Sequence, residues 1–169
     1  MHLTSLGDLV LRDAEHDASD ALTPARLEVV LGPADPFNYS SLLSVVADSG
    51  PAVIVDPIFG IEQLRDIALA TEVSRILMSK RGETTLHQLA AGLEALEDRA
   101  PEVRTSSELH DRLVIPDVGG VTTIGVSLNG VRKNITVVAT LSARSSNALR
   151  TAFEALWDEA SALPMKPSN

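Results

Sequence analysis

His110 and Arg112 stand two residues apart, and Ser127 and Asn129 repeat that spacing. In an extended strand alternate side chains share a face, so His110 and Arg112 emerge together while Asp111 and Leu113 point the other way. A neutral imidazole can attack phosphorus covalently, and a neighbouring guanidinium can neutralise the nonbridging oxygens on which charge accumulates in the transition state. A hydroxyl and an amide from Ser127 and Asn129 would add donors to the same anion. The chemistry that suits these four side chains is phosphoryl transfer. Taken alone, His-x-Arg is a weak signal, since a solvated or salt-bridged histidine at a strand end is the usual case.

Other residue patterns point to structure. Gly125-Val-Ser127-Leu-Asn129 lacks the second glycine of a hydrolase nucleophile elbow and is not followed by a helix pattern. Gly119-Gly120 has no Gly-Lys-Ser/Thr after it and reads as a hairpin turn. His2, His16 and His87 have no ligand-like spacing and read as surface residues. Asp56-Pro57 follows an apolar run, where a carboxylate could sit at the ligand-binding edge of an α/β sheet. The simpler reading is a strand-ending turn. No cysteine is present, which removes disulfides, thiolate metal sites and a cysteine nucleophile together.

The elements that must position these residues are legible from periodicity. Leu27–Leu31 reads as a strand closed by Gly32-Pro33, and Tyr39–Asp48 as a helix ended by Ser49-Gly50-Pro51. Ala52–Val55 is a short apolar run, the pattern of a strand buried on both faces. A helix over Ile61–Thr71, a strand over Val73–Met78, a helix over Glu83–Arg99 and a strand at Val103 follow. That alternation predicts parallel strands joined by helical crossovers. Leu113–Ile115, Val121–Val126 and Ile135–Leu141 come without helices between them, so they are expected to be antiparallel. A last helix is predicted over Ser145–Leu163, with Leu149, Phe153, Leu156 and Trp157 on one face. The expected architecture is α/β, a mixed β-sheet flanked by helices on both faces.

At 169 residues the chain fits one domain, since domains hold roughly 100–200 residues. We assign 24–163 to it, with 1–23 as an N-terminal extension of short helix and connector, and 164–169 as a frayed tail. Met1–Asp20 is acidic where an export signal would be basic and then apolar, and no apolar run approaches the roughly 20 residues that span a bilayer. A cytoplasmic protein with no membrane contact is therefore expected. A net charge of −9 disfavours nonspecific binding to polyanions. A local basic pocket remains open to Lys80, Arg81, Arg104, Arg112, Arg132 and Lys133, which lie where acidic residues are sparse.

The longer pattern His110-x-Arg112-x4-Asp117, then Gly125-Val-Ser127-Leu-Asn129, resembles the HKD motif of the phospholipase D superfamily, especially its small single-motif nucleases. Glu102-Val103-Arg104 is similar to the strand before the catalytic one, and the segment around Trp157 to the closing helix, so the likeness covers about Leu27–Leu163. It implies a phospholipase-D-like fold, His110 as the phosphohistidine-forming nucleophile, Arg112 as the phosphate-holding cation, and Ser127 and Asn129 as extensions of that pocket. Asp117 would take the family's supporting role, no metal or other cofactor would be needed, and nucleic acid is a candidate substrate. One motif supplies one histidine, so the resemblance also implies a homodimer that brings two to one phosphate.

Three departures stand out. Arg112 replaces lysine, the Asp117–Ser127 spacing is about two residues longer than usual with Val126 in place of glycine, and Asn134 stands near where many members have a supporting Glu. Phosphate binding is expected to survive these changes better than turnover. The second expectation is accordingly a weakened phospholipase-D-like binding or assembly subunit, resembling accessory domains of phage-defence and mobile-element complexes and joined to other subunits.

Overall fold

A computed structural model of the chain describes residues 26–107, 109–126, 128, 130, 131 and 133–163. The N-terminal extension and the tail expected at 164–169 lie outside the described residues.

Eight strands form one mixed sheet in the order β1-β7-β6-β5-β2-β3-β4-β8. They are β1 (Arg26–Leu31), β2 (Ala52–Val55), β3 (Val73–Ser79), β4 (Glu102–Ser106), β5 (Leu113–Pro116), β6 (Thr122–Ile124), β7 (Thr136–Thr140) and β8 (Ser161–Ala162). Four α-helices are described, α1 (Asn38–Asp48), α2 (Ile61–Ala70), α3 (Glu83–Leu96) and α4 (Ala143–Glu159), and the expected helix over Glu83–Arg99 tightens to a 3-10 turn at Glu97–Arg99. As the alternation predicts, β2, β3 and β4 run parallel, with α2 and α3 as crossovers. The strands without intervening helices are antiparallel: β5 pairs with both β2 and β6, and β7 pairs with β6 and β1.

Side-chain alternation divides the core between the two faces. Ile54, Ile76, Met78, Val114 and Val138 meet Leu42 and Val46 of α1, Leu64 and Ile67 of α2, and Leu89 and Leu93 of α3. On the other face Val53, Val55, Leu77, Leu113 and Ile115 pack against Leu149, Phe153 and Trp157 of α4. With helices on both sides, β2 is buried at all four positions, which explains its unbroken apolar run. The β5–β6 turn contains Gly119 at φ 102°, a left-handed conformation that glycine adopts without a Cβ clash. A Cβ at the adjacent Gly120 would collide with Thr140.

The expected last helix ends at Glu159, earlier than Leu163. Ala160 is extended, and Ser161–Ala162 pair antiparallel with Arg104 and Thr105. This strand covers an edge of β4 that would otherwise leave N–H and C=O groups unpaired. The expected β6 also shortens: Gly125 and Val126 leave the strand in a bend, where Val126 N–H donates to Thr136 Oγ1 at 3.1 Å. The largest change concerns His110 and Arg112. Both lie in the connector leading into β5 and not on a strand face, although Arg112 C=O still accepts one ladder bond from Ile124 N–H at 3.0 Å.

Candidate functional site

The strand registers bring one set of ends to a common edge of the sheet. Val55 pairs with Leu77 and Leu113, Ser79 with Ser106, Ile124 with Val138, and Thr136 with Leu31. From that edge leave the β2–α2 turn with Asp56, the β3–α3 turn with Lys80 and Arg81, the 107–112 connector, and the β6–β7 connection. It is the carboxyl edge of the parallel strands, where open α/β sheets receive ligands.

His110 is exposed in the connector, and Arg112, at the mouth of β5, is half-buried. Ser127, Asn129 and Arg132 lie outside the described residues. Leu128, between the first two in sequence, is described: its side chain is buried in the core, and its N–H donates to Asp56 Oδ2 at 2.8 Å. Asn134 lies exposed in the same connection, where its Nδ2 donates to Gly130 C=O at 3.1 Å, so its amide is engaged within its own turn. Asp117 goes to the opposite edge. It follows the last residue of β5, is exposed, and its N–H donates to Pro51 C=O at 2.9 Å. Five residues of extended chain put it about 16 Å from Arg112.

Of the cations read as a possible basic pocket, Lys80, Arg81, Arg112 and Lys133 lie in the turns and connections of this edge. Arg104 does not. Its guanidinium bonds Glu102 Oε1 and Trp157 C=O, each at 2.8 Å, and stacks on the Trp157 ring, which makes it a clamp for α4.

Asp56, for which the sequence favours a plain strand-ending turn over a ligand-edge carboxylate, does sit at this edge. It directly follows β2, with 1% of its surface exposed. Oδ1 accepts from Ile58 N–H and Oδ2 from Leu128 N–H, both at 2.8 Å. Arg112 Nε stands 3.9 Å from Oδ1 without a hydrogen bond, and this buried nitrogen has no other partner. Burial pushes the Asp56 carboxyl up from 3.8 to about 6, against the opposing pull of the two N–H groups and of Arg112 and Arg81. Its signal in the sequence was Asp-Pro after a run buried on both faces, which is also what an ordinary turn looks like.

Among the described residues no three His, Asp or Glu side chains gather as metal ligands, and no helix is long and apolar enough to cross a membrane.

No protein-family model and no curated protein matches the sequence. Solved structures do match. Nuc from Salmonella typhimurium, a phospholipase D family member, superposes with a TM-score of 0.60 at 16% identity, covering 82% of this chain and 97% of Nuc. TrmBL2, an archaeal chromatin protein whose structure shows a novel mode of DNA binding, gives a TM-score of 0.53 at 17% identity, covering 91% of this chain and 59% of TrmBL2. At such identities the likeness is one of fold. The fold is the phospholipase-D-like α/β fold seen in Nuc.

Proposed function

We propose that the chain is a phosphodiesterase, a metal-independent nuclease that acts as a homodimer through a phosphohistidine on His110. The observation that carries this reading is an exposed His110 two residues from Arg112 at the ligand-receiving edge of a fold that spans nearly all of Nuc. His110 attacks phosphorus in line, forming an N–P bond as the bond to the leaving oxygen breaks. Arg112 balances charge on the nonbridging oxygens, and Ser127 and Asn129 extend that pocket. The partner subunit's His110 protonates the leaving oxygen. It then takes a proton from the water that cleaves the N–P bond and regenerates the free imidazole. Nucleic acid is the substrate class we favour, in keeping with the DNA binding described for TrmBL2.

A specific observation favours a second reading, a weakened module that binds or assembles with other subunits. Asn134 stands near the position of the family's Glu, cannot stabilise imidazolium by charge, and spends its amide on Gly130. Cleavage of DNA, RNA and a simple diester in EDTA, with His110→Ala as control, separates the two. Cleavage that survives chelation and is lost in the variant supports the nuclease. Complete loss on chelation, restored by Mg²⁺, overturns the mechanism. No cleavage of any substrate, together with tight binding to partner subunits, supports the assembly reading.

A further inference from the structure

We propose that Asp56 is the positioning residue of this site, a buried carboxylate that holds the Nε edge of Arg112 and leaves the terminal nitrogens for a phosphodiester. The inference rests on the phosphodiester reading above and adds to it the group that orients its cation.

Both carboxylate oxygens of Asp56 are already engaged. Each accepts a backbone N–H, from Ile58 and from Leu128, at 2.8 Å. With both oxygens engaged, Asp56 is fixed in place and attracts Arg112 by charge across 3.9 Å, with no hydrogen bond between them. Three other arginine–carboxylate pairs described, Arg65–Asp66, Arg75–Glu154 and Arg104–Glu102, are hydrogen-bonded. Arg75 gives both terminal nitrogens to Glu154, at 2.9 and 2.7 Å, which consumes the fork that would otherwise grip an anion. Among the described residues none accepts a hydrogen bond from Arg112, so its donors stay available while its counter-charge lies behind it on the Nε side.

The same carboxylate ties down a second part of the edge. Its Oδ2 bond to Leu128 N–H joins the end of β2 to the connection after β6, across 72 residues of sequence. Leu128 is the residue between Ser127 and Asn129, the proposed extensions of the phosphate pocket. One ionisable group therefore meets both the cation and the backbone of Leu128. The charged groups facing it are Arg112 from the connector before β5 and Arg81 from the turn after β3. A carboxylate titrating at about 6 is ionised at neutral pH and protonated at pH 5, so its hold on Arg112 is switched over that interval.

The test uses labelled oligothymidylate, whose diesters do not titrate here, and proteins that all carry His110→Ala, so that neither cleavage nor His110 contributes. At about pH 7.5, adding Asp56→Asn is expected to weaken binding roughly 10-fold, and at about pH 5 the two proteins should bind alike. Equal or tighter binding by the Asp56→Asn protein at the higher pH, with Arg112→Ala still losing affinity, overturns the positioning role and leaves the phosphodiester reading standing. A parent protein that neither binds the oligonucleotide nor, as wild type, cleaves any diester sinks that reading instead. A ligand-free measurement covers that case and the case of an Asn variant that does not fold. In ¹⁵N-labelled wild-type protein the Arg112 Nε–H resonance should titrate with a midpoint near 6. A resonance flat across that range overturns the proposal.

Discussion

In the proposed site a phosphate would meet Arg112 where the phospholipase D motif that the sequence resembles has lysine. A guanidinium stays charged and offers a planar fork, so it binds well, but it cannot occupy the space of an ammonium. Truncating it should act on binding more than on the chemical step: Arg112→Ala is expected to raise KM about 10- to 100-fold with a smaller change in kcat, read from steady-state diester hydrolysis. Asp56 makes a prediction that needs no substrate. Burial lifts its carboxyl from 3.8 to about 6, so between those values the folded protein holds a proton that the unfolded chain has released. Stability from this group is therefore full below the unfolded value and lost as pH rises through the folded one. The difference amounts to about 3 kcal/mol. Urea unfolding should show Asp56→Asn gaining that much relative to wild type between about pH 4 and about pH 7. A difference that stays constant with pH would contradict the assignment. The sequence names His110 and Arg112 as candidates because their types and spacing are local. It cannot show Asp56 as their neighbour, since that carboxylate meets Arg112 and Leu128 only through tertiary packing.

The elements were legible where a period ran long enough to be read. Ala52–Val55 forms with its expected bounds, and the helices of the crossovers begin where the sequence places them, because buried strands and amphipathic helices leave unmistakable apolar spacings. Short or capped features were not legible. β8 holds two residues, too few for any period, and its partner strand decides that it forms at all. The start of α4 differs for a related reason: the helix begins at Ala143, ahead of the expected Ser145, because Ser142 is the N-cap, its Oγ accepting Ser145 N–H at 3.3 Å. Ser145 adds a side-chain contact to Ser142 at 3.1 Å, and Ser146 turns inward, fully buried, to accept Val121 N–H at 2.8 Å. That last bond fastens α4 to the residue ahead of β6. Ser146→Ala would leave the Val121 N–H buried without a partner, and thermal or urea unfolding should register a loss of about 1–3 kcal/mol. A change within error would mean that the hydroxyl contributes nothing to docking this helix.

The whole molecule sets a net charge of −9 against an edge where Lys80, Arg81, Arg112 and Lys133 project from neighbouring turns. Four cations along one edge of an acidic chain suit engagement of a strand at that edge in preference to coating by polyanions. If four cations each displace one counterion, the affinity for single-stranded oligonucleotide should fall with salt at a log–log slope of about −3. A slope near zero would mean that these cations do not meet phosphate. The proposed chemistry also belongs to this scale, because one chain carries one motif histidine and the reaction uses two. Sedimentation should therefore find a dimer that persists in His110→Ala, whose exposed imidazole makes no contribution to core packing. The most direct test of the central claim is to quench the protein during turnover of a ³²P-labelled diester and look for acid-labile phosphate on the polypeptide. The account predicts label on the wild-type protein, mapped to His110, and none on His110→Ala. Equal labelling of the two proteins, or cleavage without any label on the wild type, would contradict it.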